Sequence, residues 1–316
     1  MESRTARPTA VGRLRDVVLA SGAALFIVLI VGHDLVPNVL GLGEALDSVA
    51  PWLVLGVPVL ALASLVLRSP VGAAASLVTL MTWACVFGPL WVSGSPRTTD
   101  VGSATLKVVT QNVSARNPDP VAAARSLAAT GADIVAVEEV SARNETLMSP
   151  VLSARYRYRI RVGTVALWSR YSLSHTTPVD VGAGWHRGLR AHVAVPSGDL
   201  VVYVVHLPSI RLGDTAQRDR GLHILSRELV SDRAQRIVAL GDFNTTNTDR
   251  NWKHFAPGYR DSQTTAGCGP GFTWPAALPV VRPDHVLIRG GYATASTVRR
   301  TQGADHRGVV ATLTFA

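Results

Sequence analysis

The sequence predicts an apolar region of three membrane-spanning helices followed by a strand-rich α/β domain, in which helices lie outside two packed sheets. Three observations carry this. Among the 316 residues, the stretch from Val17 to Pro96 has only four charged side chains, Asp34, Glu44, Asp47 and Arg68. From residue 104 onward, short β-rich runs alternate with turns and a few helical stretches. Charge divides the same way: residues 1–96 carry five basic and five acidic side chains, so the net charge of +9 sits wholly in 97–316, as 26 basic against 17 acidic. Such a division excludes a uniformly soluble chain and a disordered one. Two cysteines, Cys85 and Cys268, exclude a disulfide scaffold.

Residues 1–16 form a tail and 17–95 hold the spans. Val17–Gly32 is the first uncharged run and extends through His33–Val36; Val49–Leu67 is the second, with Pro51 and Pro58; Val71–Val92 is the third, with Pro89 near its end. Each approaches the roughly 17–25 residues that cross a bilayer core as a helix, and proline is tolerated where neighbouring helices cover the freed backbone groups. A cleaved signal peptide would explain Arg13 and Arg15 before the first run but not the two later runs. Basic residues near spans stay inside. The tail has Arg4, Arg7, Arg13 and Arg15, the first loop (about 33–48) has three acids and no base, and the second loop has Arg68. The N-terminus is therefore expected in the cytoplasm and the C-terminal domain outside the cell. The polar stretch from Ser93 contains a linker at 96–103, and the domain occupies 104–316.

Within the domain, strands are expected at Leu106–Val109, Ile134–Val137, Thr164–Trp168, Ala191–Val195, Leu200–Val205, Arg236–Leu240, Val286–Ile288 and Val309–Phe315. Helices are expected at Pro120–Thr130, ending before Gly131, and Ala216–Ser231. Arg155–Arg161 alternates Arg with Tyr, Tyr and Ile, so an extended strand would put four arginines on one face. Two readings stand for it: a charge-guarded edge strand and a surface for anionic lipid headgroups.

Polar residues that a core does not need cluster at strand ends. They are Gln111-Asn112, Glu138-Glu139, His206, the segment Gly241-Asp242-Phe243-Asn244, Asp284-His285 and Asp305-His306. Carboxylates, a carboxamide and imidazoles gathered at one sheet edge suit a Mg²⁺-assisted phosphoester reaction. Zinc is disfavoured, since neither HExxH nor CxxC is present.

The ordered series QN, E, HLPS, GDFN, DH and ADH resembles the endonuclease/exonuclease/phosphatase superfamily, which includes DNase I-like nucleases, neutral sphingomyelinases and inositol polyphosphate 5-phosphatases. The match spans about 105–316 and includes Gly163–Arg170 and Phe272–Pro275. The resemblance implies a four-layered α/β sandwich of DNase I-like type, and a Mg²⁺ cofactor that Mn²⁺ can replace. It implies Glu139, Asn112 and Asp305 at the metal, with Asn112 also near the substrate phosphate. Asp242 is implied as general base, paired with Asn244; His306 stabilises the phosphate and Asp284 orients it; His206 is a second histidine near the phosphate. Arg190, on the preceding strand, is a candidate to hold a phosphate oxygen. Glu138 stands where Gln is common and Ala304 where Ser is usual; Glu138 and His285 are expected to be bystanders.

The net charge suits any anionic phosphate substrate or membrane. Three spans and a short linker favour a substrate whose headgroup emerges from the bilayer. The layout resembles the teicoplanin-resistance membrane proteins of the VanJ type in actinobacteria, and 29 Arg against 2 Lys fits a high-GC bacterium. That resemblance points to a lipid pyrophosphate such as undecaprenyl pyrophosphate in the cell envelope. A tethered extracellular nuclease acting on nucleic acid and a sphingomyelinase-like phosphodiesterase are the alternatives. Nothing in the sequence points to a protein partner.

Overall fold

The computed structural model describes residues 9–92, 105–211 and 213–315. The linker expected at 96–103, and Arg4 and Arg7 of the tail, lie outside the described residues. The chain divides into two compact units: Met1–Asn38 with Leu42–Pro89, and Val39–Gly41 with Leu90–Ala316.

The first unit contains helices α1 (Ala10–Gly32), α2 (Leu42–Val49), α3 (Gly56–Val66) and α4 (Pro70–Phe87), joined by short 3₁₀ turns. Thr9 and Ser69 cap α1 and α4 by accepting the amides of Gly12 and Gly72, which satisfies donors that a helix start leaves without partners. Three stretches, Ala10–Leu35, Val39–Val66 and Pro70–Leu90, are long and apolar enough to cross a membrane. Large apolar side chains such as Leu25, Val28, Leu62 and Met81 stay exposed on them, as lipid-facing surfaces do. The first loop, about 33–48, folds in part as α2. Two of its acids, Glu44 and Asp47, are buried and hydrogen-bonded, with His33 Nδ1 2.8 Å from Asp47 Oδ1 and Asn38 Nδ2 donating to Glu44 Oε1 at 2.7 Å.

The second unit has twelve strands among its described residues: β1 (Thr105–Asn112), β2 (Ile134–Glu138), β3 (Tyr158–Val162), β4 (Val165–Ser169), β5 (Leu173–Pro178), β6 (Gly188–Val195), β7 (Gly198–His206), β8 (Ile237–Asp242), β9 (Arg260–Asp261), β10 (Asp284–Arg289), β11 (Gly291–Arg300) and β12 (Arg307–Phe315). Its helices are α5 (Pro120–Ala129), α6 (Ala142–Ser153), α7 (Ala216–Ser231) and α8 (Ser262–Ala266). The strands form two six-stranded mixed sheets, ordered β11-β12-β1-β2-β4-β3 and β5-β6-β7-β8-β10-β9. Period-two alternation sends Val108, Ile134 and Leu167 of the first sheet inward against Leu189, Val202, Leu240 and Val286 of the second. The alternate residues Val109, Val135 and Trp168 pack outward on Leu127 of α5 and Met148 and Leu152 of α6. On the far side, Tyr203, Val205 and Ile237 pack on Leu222, Leu225 and Leu229 of α7. The result is the expected four-layered α/β sandwich.

Several elements differ from expectation. Within Arg155–Arg161 only residues from Tyr158 onward join strand β3, because Arg155 still closes the turn after α6 and Tyr156 turns into the core, donating to Ala132 O at 3.0 Å. Arg161 pairs with Glu145 at 2.8 Å, so the segment is not a uniform four-arginine face. Helix α6 carries Pro150 and few apolar residues, and β11 is rich in Thr, Ser and Arg, so neither shows a hydrophobic period in the sequence.

Candidate active site

Strand register assembles the site. Strands β7 and β8 run parallel with His206 opposite Asp242, and β10 runs antiparallel to β8 with Asp284 opposite Asp242. In the other sheet, parallel β1 and β2 end at Asn112 and Glu138 as partners. Strand β12 begins one residue after His306. Asp242 reaches its place because Gly241 precedes it at φ 147°, where a Cβ would lie 1.9 Å from Val205 O; only glycine lets β8 approach β7 so closely.

Asp242 is buried at the centre. Its Oδ1 accepts the Asn244 amide at 2.9 Å and its Oδ2 accepts Asn112 Nδ2 at 3.0 Å. His306 Nε2 lies 3.8 Å and His206 Nε2 3.6 Å from the same Oδ2. His306 Nδ1 is 2.9 Å from Asp284 Oδ2, which also accepts the Thr273 hydroxyl. Asn112 Nδ2 also donates to Glu139 Oε1 at 3.3 Å, while Ala115 N holds Glu139 Oε2 at 2.9 Å. Glu139 has φ 58° and its side chain is 33% exposed, so a strained turn aims its carboxylate at the open end of the cluster.

The electrostatics separate the two histidines. Burial works against a charged His306, but Asp284 and Asp242 outweigh it and raise the imidazole to about 10. Burial, aided by Arg187 and His306, pushes His206 well below its ordinary value. Arg187 Nη2 contacts His206 Nε2; a guanidinium only donates, so Nε2 accepts and His206 is neutral. Burial raises Asp242 to about 6, and Asp284 adds to this while His306 opposes it. Glu138, expected to be a bystander, is fully buried beneath the site, where desolvation lifts its carboxyl well above the usual range although Thr110 donates to it at 2.7 Å.

The structure thus gathers Asp242, Asn244, Asn112, Glu139, His206, Asp284 and His306. It does not gather Arg190. Strand β6 begins at Gly188, earlier than the sequence suggests. Inward Leu189 and Ala191 leave Arg190 on the outer face, where its Nε donates to Asp232 at 2.8 Å and to Tyr203 Oη at 3.2 Å. Arg187, three residues earlier, takes the place beside His206; the register of Gly188 opposite Val205 is the signal that would have found it. Arg190→Ala should therefore lower stability by about 1 kcal/mol, since half-buried Asp232 loses its charged partner. Hydrolysis should stay within about twofold of wild type, as for changes away from reacting groups. Denaturant unfolding beside a rate assay checks this, and a large rate loss at unchanged stability would return Arg190 to the site.

Asp305 also departs from expectation. Its side chain is exposed and its backbone O accepts Ala276 N at 2.7 Å. Among the described His, Cys, Asp and Glu side chains, Asp242, Asp284 and His306 bring ligand atoms within 4.8 Å of one another. The donors around the cluster are nonetheless carboxylate and carboxamide oxygens without thiolate, which fits a hard divalent cation. Thr273, whose hydroxyl bonds Asp284, lies in the Phe272–Pro275 segment that resembles the family. His285 plays a local part: its ring packs 4.2 Å from that of Trp252, and its nitrogens bond Asp261 and Thr245.

Comparison with known proteins bears on the fold. Truncated Caenorhabditis elegans TDP2 superposes with TM-score 0.58 at 17% identity, covering 67% of this chain and 98% of its own. D. rerio TDP2 complexed with single strand DNA product gives 0.58 at 16%, covering 66% and 99%. An endonuclease/exonuclease/phosphatase family protein from Bacteroides thetaiotaomicron gives 0.56 at 16%, covering 68% and 99%. No curated protein sequence matches the chain. At such identities these likenesses concern the fold, but residues 109–306, from the first strand to His306, match a family directly, and the chain belongs to the Endonuclease/Exonuclease/phosphatase family of phosphoester hydrolases.

Proposed function

We propose that the chain is a membrane-anchored, Mg²⁺-dependent phosphohydrolase acting on a lipid pyrophosphate, such as undecaprenyl pyrophosphate, at the outer face of a bacterial membrane. The observation that carries it is the joining, in one chain, of three helices able to span a bilayer to an Asp242–His306–Asp284 cluster opening beside Glu139. A phosphate bound there would meet groups of complementary roles. Asp242 takes the proton of the attacking water. The P–O bond to the bridging oxygen breaks, leaving a lipid monophosphate and inorganic phosphate. His306, held protonated and oriented by Asp284, donates to a phosphate oxygen, and Arg187 supplies fixed positive charge from the opposite side. A divalent cation held by Glu139 and Asn112 would polarise a phosphate oxygen. The basic excess outside the spans suits an anionic substrate. The VanJ-type layout gives this activity a place in envelope metabolism and glycopeptide resistance.

A second reading, a tethered nuclease, draws on the TDP2 relative that carries a single strand DNA product. One experiment separates the two. The purified full chain in detergent with Mg²⁺ should release inorganic phosphate from undecaprenyl pyrophosphate, and EDTA should stop it. Nicking of plasmid DNA, or phosphocholine release from sphingomyelin, without phosphate from the lipid would overturn the lipid reading.

A further inference from the structure

Strands β1, β12 and β11 carry a second concave surface on the outer face of the first sheet. Leu106, Val108, Val309 and Ala311 point into the inter-sheet core, so Lys107, Val310 and Thr312 point the other way. Register lines Lys107 up with Thr312, Thr312 with Ala295, and Val310 with Thr297. The end of α5 walls the near side with Ser126 and Thr130, and Arg299 and Arg300 close the far end. The groove is open to solvent and has a volume of about 640 Å³. Among the described residues, no side chain of the catalytic cluster lines it, and no carboxylate does.

Its charge has few claimants. Asp133 accepts the Lys107 backbone amide at 2.9 Å and Arg170 at 3.0 Å, so its carboxylate is already engaged. The Lys107 ammonium donates one bond, to Thr130 O at 2.6 Å, leaving two further donors. Arg299 and Arg300 are exposed, and no side-chain hydrogen bond or ion pair holds either guanidinium among the described residues. Three cations and a row of hydroxyls around a concavity without an acid attract an anion rich in acceptors, and planar guanidiniums favour phosphate.

We infer that the groove formed by Lys107, Thr297, Arg299, Arg300 and Thr312 is a non-catalytic site for a phosphate-bearing anion. Its volume admits a ligand larger than a single phosphate, such as a phospholipid headgroup or a pyrophosphate. A site of this kind holds the domain against an anionic membrane or retains a soluble phosphate near the enzyme; the bound chemistry is shared.

Site-resolved labelling tests it on the full chain in nanodiscs at low ionic strength, with EDTA present to prevent turnover. Phenylglyoxal modification of Arg299 and Arg300 is followed by mass spectrometry, with Arg157 on the opposite edge of the sheet as reference. In phosphatidylcholine nanodiscs both arginines should react readily. Added inorganic pyrophosphate, or phosphatidylglycerol built into the nanodisc, should slow them by about fivefold or more once the anion is several times above its Kd. Protection by pyrophosphate identifies a soluble ligand, and protection by phosphatidylglycerol alone identifies a headgroup; either supports the site. Absence of protection by both, or equal slowing at Arg157, overturns it, since equal slowing is general screening.

Discussion

Asp242→Asn is expected to abolish hydrolysis, with kcat lower by about 10³-fold or more, while the protein folds normally. General-base catalysis alone contributes about 10²–10⁴-fold, and Asp242 is also where Asn112, Asn244, His206 and His306 converge. The amide keeps the shape and one acceptor oxygen but not the charge. Because burial, with a smaller push from Asp284, outweighs His306 and raises Asp242 to about 6, removing that charge relieves a net desolvation cost. The thermal midpoint should therefore hold or rise while activity disappears, which distinguishes a lost base from a damaged fold. Single-turnover phosphate release beside a melting curve reads both. Retained turnover would remove Asp242 from the reaction.

The second large effect concerns His306 and Asp284. His306→Ala should reduce kcat by about 10²–10³-fold, the range for loss of a donor to a developing anion. Asp284→Asn should cost less, because Asp284 acts through His306, which it meets at 2.9 Å. The double variant should then be hardly worse than His306→Ala alone, since residues that work as a unit are not additive. A double-mutant cycle on kcat checks this. Additive losses would mean that Asp284 serves the substrate directly.

The sequence made much of this visible, and the exceptions share a cause. Buried strands such as Ile134–Glu138 and Ile237–Asp242 announce themselves as continuous apolar runs, and the polar residue ending each run stands out against them. That contrast is why Asn112, Glu139, His206, Asp242 and Asp284 were legible. Strand β11 and helix α6 were not, because one is an edge strand of Thr, Ser and Arg and the other is half polar with an internal proline. Arg190 and Arg187 show the limit at the site itself. An arginine on a strand reads the same on either face, and only the register with Tyr203 and His206 sends one outward and leaves the other at the chemistry. Asp305 was read as a metal ligand by its place before His306, yet it sits in a turn where its side chain escapes to solvent.

The alignment of His206, Asp242 and Asp284 on three adjacent strands means that the reactive groups are addressed by backbone ladders rather than by the loops beyond them. A one-residue insertion inside β8 would turn Asp242 to the opposite face and silence the enzyme. Changes in the segments 180–185 or 250–259 leave those ladders, and the Arg187–His206 contact beside them, untouched. The scaffold therefore separates what is done from what it is done to: loops can be exchanged to admit other phosphate carriers, and the bond-breaking apparatus travels with the sheet.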